Sequence, residues 1–494
     1  MMQRILIFAF LISTLSAAQE THDHPAPKTL GTVSFPNSCQ PGVQKEFDRA
    51  VALMHSFAYR LAEEAFHSVA EQDPHCAIAH WGAAMTHFHQ LWEPHLPPRE
   101  ISVAQNEVRL AEMANAATER ERGFIHALGL IFNDPTIPFS TRALSYEDAM
   151  HDLAAVNPAE VEVQIFYALA LISNASPTDK THFKQKQAAA LLEPLYREFP
   201  NHPGIPHYLI HAYDSQELAS RGLTAALAYS RIAPSAPHAL HMPSHIFTRL
   251  GMWDDSIASN VAARTAAHQQ GESGEELHAM DYLVYAYLQS GRDQEAAQVI
   301  QELKTIQTLD VSDFKSGYAA TVIPIRYIVE RGQWSEAEKI ALPAASALPQ
   351  VLATAVWARG LGCARNGHPK EARKQIEALG QLEERLRISG TAYWATQVSI
   401  MTREVLAWSA QAEGRSDEAT ALLEGAANDE DGIEKLPATP GPIIPAREQL
   451  GELFLEQGKF ASASTAFKTT FVNAPGRRGA SQGAARAALA SVQK

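Results

Sequence analysis

The stretch LGELFLEQGKFASASTAFKTTFVNAP, residues 450–475, constrains the fold more than any other part of the chain. Counting Ile444 as position 1 of a 34-residue unit puts Leu450, Gly451 and Phe454 at positions 7, 8 and 11. Gly458 and Phe460 fall at 15 and 17, and Ala463, Phe467 and Pro475 at 20, 24 and 32. Small residues at 8 and 20 let two helices approach closely, the large apolar residues fill the seam between hairpins, and the glycine makes the turn. The same frame fits elsewhere. Ala62, Phe66, Val69 and Pro74 occupy its second-helix positions, as do Ala188, Leu192, Leu195 and Pro200. Gly360, Cys363, Gly367 and Ala372 give another unit, and Gly251, Gly291 and Gly332 supply further turns. A single match would mean little, but a period repeated along one chain is the signature of stacked helical hairpins.

This pattern resembles the tetratricopeptide repeat (TPR) and predicts an all-α, right-handed solenoid of helical hairpins. Residues 39–424 are expected to form the TPR-like array with a His-rich groove. Residues 425–444, acidic and rich in Pro and Gly, read as a connection, and residues 445–494 as a last repeat with a capping helix. Segments 91–140 and 380–400 fit the frame poorly and are expected to hold longer loops.

Residues 1–18, MMQRILIFAFLISTLSAA, carry one arginine and then an apolar run of eleven residues ending in small residues. That is a signal-peptide pattern and places the mature chain in the periplasm or outside the cell. Residues 19–38 read as an extended, disordered arm, in which His22 is a candidate copper ligand only if cleavage leaves Glu20 first. No later segment is apolar for long enough to span a membrane. The formal net charge of −14 and the lack of a dense basic block argue against nucleic acid as a partner. Of three cysteines, Cys39 and Cys76 begin successive first helices, where a disulfide is geometrically possible with Cys363 as a buried thiol; the alternative is three free thiols.

The histidines carry the functional signal. Two short stretches, HPGIPHYLIHAYD (202–214) and HALHMPSHIF (238–247), are crowded with them. With Pro203 as position 1, His207, His211 and Asp214 fall at 5, 9 and 12. With Pro237 as position 1, His238, His241 and His245 fall at 2, 5 and 9. Such spacings put each set on one helix face, and in TPR arrays those positions line the concave groove. The next repeats extend the row with His278, Asp281 and Arg326. His80 and His87 fall at inward positions and read as core or seam residues, with Trp81, Met85 and Phe88 facing the groove. His75 and His202 read as repeat-junction residues.

The pieces CQPGVQKEFDRAVALMHSF, DPHCAIAHWGAAM, HPGIPHYLIHAYD, HALHMPSHIFTRLGMWDDSIASN and DYLVYAYLQSGR together resemble a family of exported bacterial TPR proteins of unknown function. The resemblance implies a TPR solenoid and brings no activity with it.

Three readings of the groove follow. The first is a transition-metal site, zinc or copper, with His207, His211, Asp214, His238, His241 and His245 as ligands, Asp214 serving either as a ligand or as the acceptor that fixes a histidine tautomer, and Pro243 kinking the second helix to turn His245 inward. The second is an interaction module that holds a peptide, a protein or a small molecule with no metal. The third is a metal-dependent enzyme, for which no HExxH, G-x-S-x-G or phosphate loop gives independent support.

Overall fold

The computed structural model describes residues 28–91, 98–306 and 313–492, and among these the regular structure is entirely helical. The expected signal peptide, His22 and the first part of the expected arm lie outside the described residues. Helices pair as antiparallel hairpins, each packing chiefly on its neighbours in sequence, from Gln44–His55 with Tyr59–Gln72 to Ala446–Glu456 with Phe460–Asn473. A last helix, Arg478–Val492, caps the array. The repeat signature acts as expected. Gly458 turns its hairpin at φ 69° and Gly291 at φ 77°, left-handed values that glycine adopts without steric cost. A side chain at Gly451 would meet the Phe467 ring at 2.6 Å, so the two helices touch there.

Most of the described residues of the two poorly fitting segments are helical. Pro98–Ala114 and Glu119–Phe132 form part of one, while Pro369–Ile388 and Ala392–Ala412 form the other. Helices of 20 and 21 residues exceed a 34-residue hairpin and throw the count out of frame. The arm also differs from expectation. Leu30, Val33 and Phe35 are buried, and Phe35 packs on Phe47, Trp81 and Phe124. Trp81 therefore lies in the aromatic core, not on a groove wall, and Phe88 packs against Phe132, Phe139 and Tyr146. His80 and His87 sit in the helix seam as expected, paired with Glu107 and with Glu63 and Glu100.

The array is wound tightly enough that distant repeats touch. Thr32 N donates to the Asn201 carbonyl at 2.9 Å, and Arg60 pairs with Glu272. At the other end buried Arg477 bridges Glu330 and Glu448, and Arg478 reaches Asp293.

The expected 425–444 connection divides in two. Its first part belongs to the helix Ser416–Asp431, and the loop proper, 432–445, fills the concavity. Buried loop backbone must find hydrogen bonds, and here inward-facing helices supply them. The Tyr282 hydroxyl reaches the carbonyls of Pro437 and Thr439 at 3.3 and 3.1 Å, and Arg326 reaches that of Pro442 at 3.5 Å. Lys435 Nζ lies 2.7 Å from Asp214 Oδ2. The groove is thus an enclosed core with its own chain threaded through it.

Cys39 and Cys76 form a disulfide, their Cα atoms 4.8 Å apart, and Cys363 is a buried thiol. Denatured, unreduced protein is expected to show one reactive thiol, and reduced protein three. Closing a 37-residue separation should contribute roughly 3–4 kcal/mol to stability in the chain-entropy picture. Comparing urea midpoints of the unaltered chain and Cys39→Ser/Cys76→Ser measures it.

Candidate metal centre

Three neighbouring inward-facing elements bring the histidines together. Gly204–Tyr213 carries His207 and His211. Pro237–His241 and Pro243–Arg249 carry His238, His241 and His245, and Ser273–Gln289 carries His278. The second element is broken at Met242, immediately before Pro243, whose ring cannot donate a helical hydrogen bond. All six imidazoles are buried. They do not form one six-ligand patch. His207, His211 and His238 make one triad, and His241, His245 and His278 make another, with candidate ligand atoms in each within 4.8 Å of one another. His278, expected only as a groove residue, is a member of the second.

Asp214, expected as a ligand or as the acceptor behind one, stands behind His245. Its Oδ2 accepts from His245 Nδ1 at 2.8 Å, and Arg249 and Lys435 close around the rest of the carboxylate. Burial opposes its charge, but Lys435, Arg249 and His245 hold its pKa well below the usual carboxylate range. Asp281 and Arg326 pair with each other at 3.0 Å beneath the 432–445 loop and face no open groove.

The hydrogen bonds decide which ring nitrogens carry the protons. His207 Nδ1 lies 2.6 Å from the His55 carbonyl, which can only accept, so Nδ1 carries the proton. His238 Nδ1 donates to Glu275 at 3.2 Å. That carboxylate is ionised, since Lys315 and His238 outweigh the effect of burial. In neutral rings both Nε2 atoms then bear lone pairs, yet they face each other at 3.2 Å, with His211 Nε2 also 3.2 Å from His207 Nε2. The second triad repeats the arrangement. Asn260 gives its amide NH2 to the Ser256 carbonyl, so its Oδ1 accepts from His241 Nδ1 at 2.6 Å. His245 Nδ1 donates to Asp214, and the Nε2 atoms of His241 and His245 are 3.0 Å apart. His211 Nδ1 is buried with no hydrogen-bond partner. Burial leads in depressing the pKa of His207, His211, His241 and His278 well below the ordinary imidazole value, and brings His245 to about 4. The rings are therefore neutral near pH 7.

A third cluster behaves differently. Glu162 sits between His55 Nε2 at 2.9 Å and His202 Nε2 at 2.8 Å. His55 Nδ1 meets the Tyr208 hydroxyl, and His202 Nδ1 accepts from Gly204 N. Every nitrogen here has a complementary partner, so this cluster is a closed structural network that supports the His55 carbonyl behind His207. Sequence reasoning found His202 as a junction residue but not Glu162, His55, Asn260, Glu275 or Lys435. Only Glu275 carried a signal, three residues before His278 on one helix face.

The six histidines thus lie at the centre of an all-α helical-repeat protein built from TPR-type hairpins. No family model matches the chain, and no curated protein sequence matches it. Among solved structures it is similar to the TPR domain of P58(IPK), at 12% identity over 92% of this chain and 99% of that one, with a TM-score of 0.23. It is similar to the human IFIT1 dimer with m7Gppp-AAAA, at 12% identity over 89% and 95%, TM-score 0.37. It is also similar to the APC/C hetero-tetramer Cut9–Hcn1, at 12% identity over 92% and 77%, TM-score 0.35. At these TM-scores the likenesses carry no argument, and the repeat assignment rests on the chain's own helices and turns.

In metal-free protein the histidines make stability depend on pH. The unfolded chain takes up histidine protons near pH 6.5, whereas folded His245 does so only near pH 4. Between these values the unfolded state binds the extra proton, so stability is lost as pH falls, by roughly 1.4 kcal/mol per pH unit for each such histidine. Urea midpoints measured from pH 7 to 5 in a chelator should fall steeply, and less so for His245→Gln.

Proposed function

We propose that the protein is an exported metalloprotein, a helical-repeat scaffold that encloses a transition-metal centre at the two imidazole triads. The observation that carries this is the facing of Nε2 lone pairs at 3.0–3.2 Å, one such pair in each triad, with Nδ1–H groups tied outward. Two lone pairs at that distance repel unless a cation lies between them. Nitrogen ligands at 2.0–2.1 Å from a tetrahedral ion stand about 3.3 Å apart. The outward Nδ1–H bonds to carbonyl, amide and carboxylate oxygens are the usual support of a ligating histidine. Three neutral imidazoles suit zinc or copper, and three protein ligands leave a position open, which favours small-molecule binding or activation over a purely structural ion.

The interaction-module reading has less support. A peptide entering the groove would have to displace 432–445 and its hydrogen bonds to Tyr282, Arg326 and Asp214. Periplasmic or secreted location is part of the proposal, supported by the Cys39–Cys76 bridge and the N-terminal apolar stretch. Among the described residues no helix is long and apolar enough to cross a membrane.

Elemental analysis after zinc or copper loading and desalting should find two ions per chain. His207→Ala should lose one, His241→Ala the other, and His80→Ala neither, with far-UV circular dichroism unchanged in all three. Absence of bound metal in the unaltered chain would refute the proposal.

A further inference from the structure

Resting on the metal reading, we infer that the two triads form a single dinuclear centre whose ions share one small bridging anion. The triads lie side by side. Ring centroids of His211 and His245 are 5.8 Å apart, and those of His238 and His241 are 6.0 Å apart. Among the described residues, neither set of candidate ligand atoms includes a carboxylate. Asp214 and Glu275, which would be the natural bridges, are both turned outward onto Nδ1 atoms. A bridge must therefore come from outside the protein.

Charge selects its class. All six ligands are neutral. Around them the carboxylates of Asp214, Glu275 and Glu434 are matched by Lys435, Lys315 and Arg249. The protein thus supplies almost no net negative charge to offset two divalent ions, and a buried uncompensated charge is costly. A one- to three-atom anion such as hydroxide or azide supplies the missing charge and, by bridging, fills the open position of each ion. In exchange the anion displaces water from the ions, with no change of oxidation state.

There is also a way in. A cavity of about 200 Å³ is lined by Phe57, Tyr59, His89, Glu275, His278 and Phe314, so it touches a ligand of one triad and the support of the other. Phe57 stands between it and the first triad, its ring centroid 4.4 Å from that of His207 and 5.0 Å from that of His238. Its backbone is at φ 53°, a left-handed value that a bulky residue rarely adopts. The residue ends the helix Gln44–His55, where Ala58 N donates back to the Leu53 carbonyl at 3.0 Å, and this turn holds the ring over the imidazoles as a gate.

The test uses the full mature chain loaded with Cu(II), with total copper measured against integrated electron paramagnetic resonance intensity, before and after azide. Two copper ions per chain, with most of the intensity lost in the azide form through coupling across the bridge, is the expected result. His241→Gln/His245→Gln should keep one copper at full intensity, and Phe57→Ala should speed azide binding in stopped-flow absorbance. Two ions that keep full intensity with azide would overturn the dinuclear centre while leaving the metal reading intact. No bound copper, or only one, overturns it as well, and no copper removes the metal reading with it. The decisive measurement is made on the unaltered chain, so a variant that misfolds does not blunt it.

Discussion

Four hydrogen bonds determine the centre of this molecule. His207, His238, His241 and His245 each commit Nδ1–H to an oxygen that only accepts: a main-chain carbonyl, Glu275, Asn260 and Asp214. Once those protons are placed, the Nε2 atoms of His207 and His238, and of His241 and His245, face each other as lone pairs with no proton to share between them. The acceptors come from different layers. The His55 carbonyl belongs to the first helix of the array, Asn260 to an outer helix, and Glu275 to the next inner one. Holding all four rings at once therefore requires the packing of several repeats, not the two histidine-rich segments alone.

That requirement explains why the solenoid is closed. An open TPR groove would leave the imidazoles in water, where each Nε2 could find its own partner and titrate near its ordinary pKa. Here the 432–445 loop covers them, and its Lys435 fixes Asp214, which in turn orients His245. Burying that lysine lowers its pKa to about 8 despite the carboxylate beside it. The loop is thus a structural part of the site, and its Pro- and Gly-rich composition fits a path with no regular ladder to join.

The helix-face positions of the site were legible in the sequence. His207, His211, His238, His241 and His245 were placed from their offsets within a 34-residue frame, because such offsets follow from local helix geometry. What was not legible depended on distance along the chain. Lys435 meets Asp214 across 221 residues, and His55 meets His207 across 152. No period or motif encodes such meetings; they arise from how far the superhelix turns per repeat. The spacing of Asp214 to His211 leaves it open as a ligand or as an acceptor behind one, because spacing gives the face but not the depth. Its true role depends on Arg249 and Lys435, neither on its own helix. The long helices after Pro369 were missed because the frame presumes hairpins of one length.

The His55–Glu162–His202 network gives the strongest internal contrast. It is as buried as the triads, with two imidazoles and a carboxylate in place of three imidazoles, so burial and ligand type alone would also rank it as a metal site. Its nitrogens alternate donor and acceptor around an ionised carboxylate, which burial opposes but His202 and His55 hold at about 2. Adding a cation there would break existing hydrogen bonds, while in the triads a cation would relieve facing lone pairs. The two clusters are joined through a single residue, since the ring of His55 belongs to the closed network and its carbonyl orients His207. A satisfied polar network can hold that carbonyl rigidly because none of its members is left to rearrange. The facing Nε2 atoms of His207 and His238 are then held in place from behind by a network whose own nitrogens are already bonded, as expected of a site built to receive something from outside the chain.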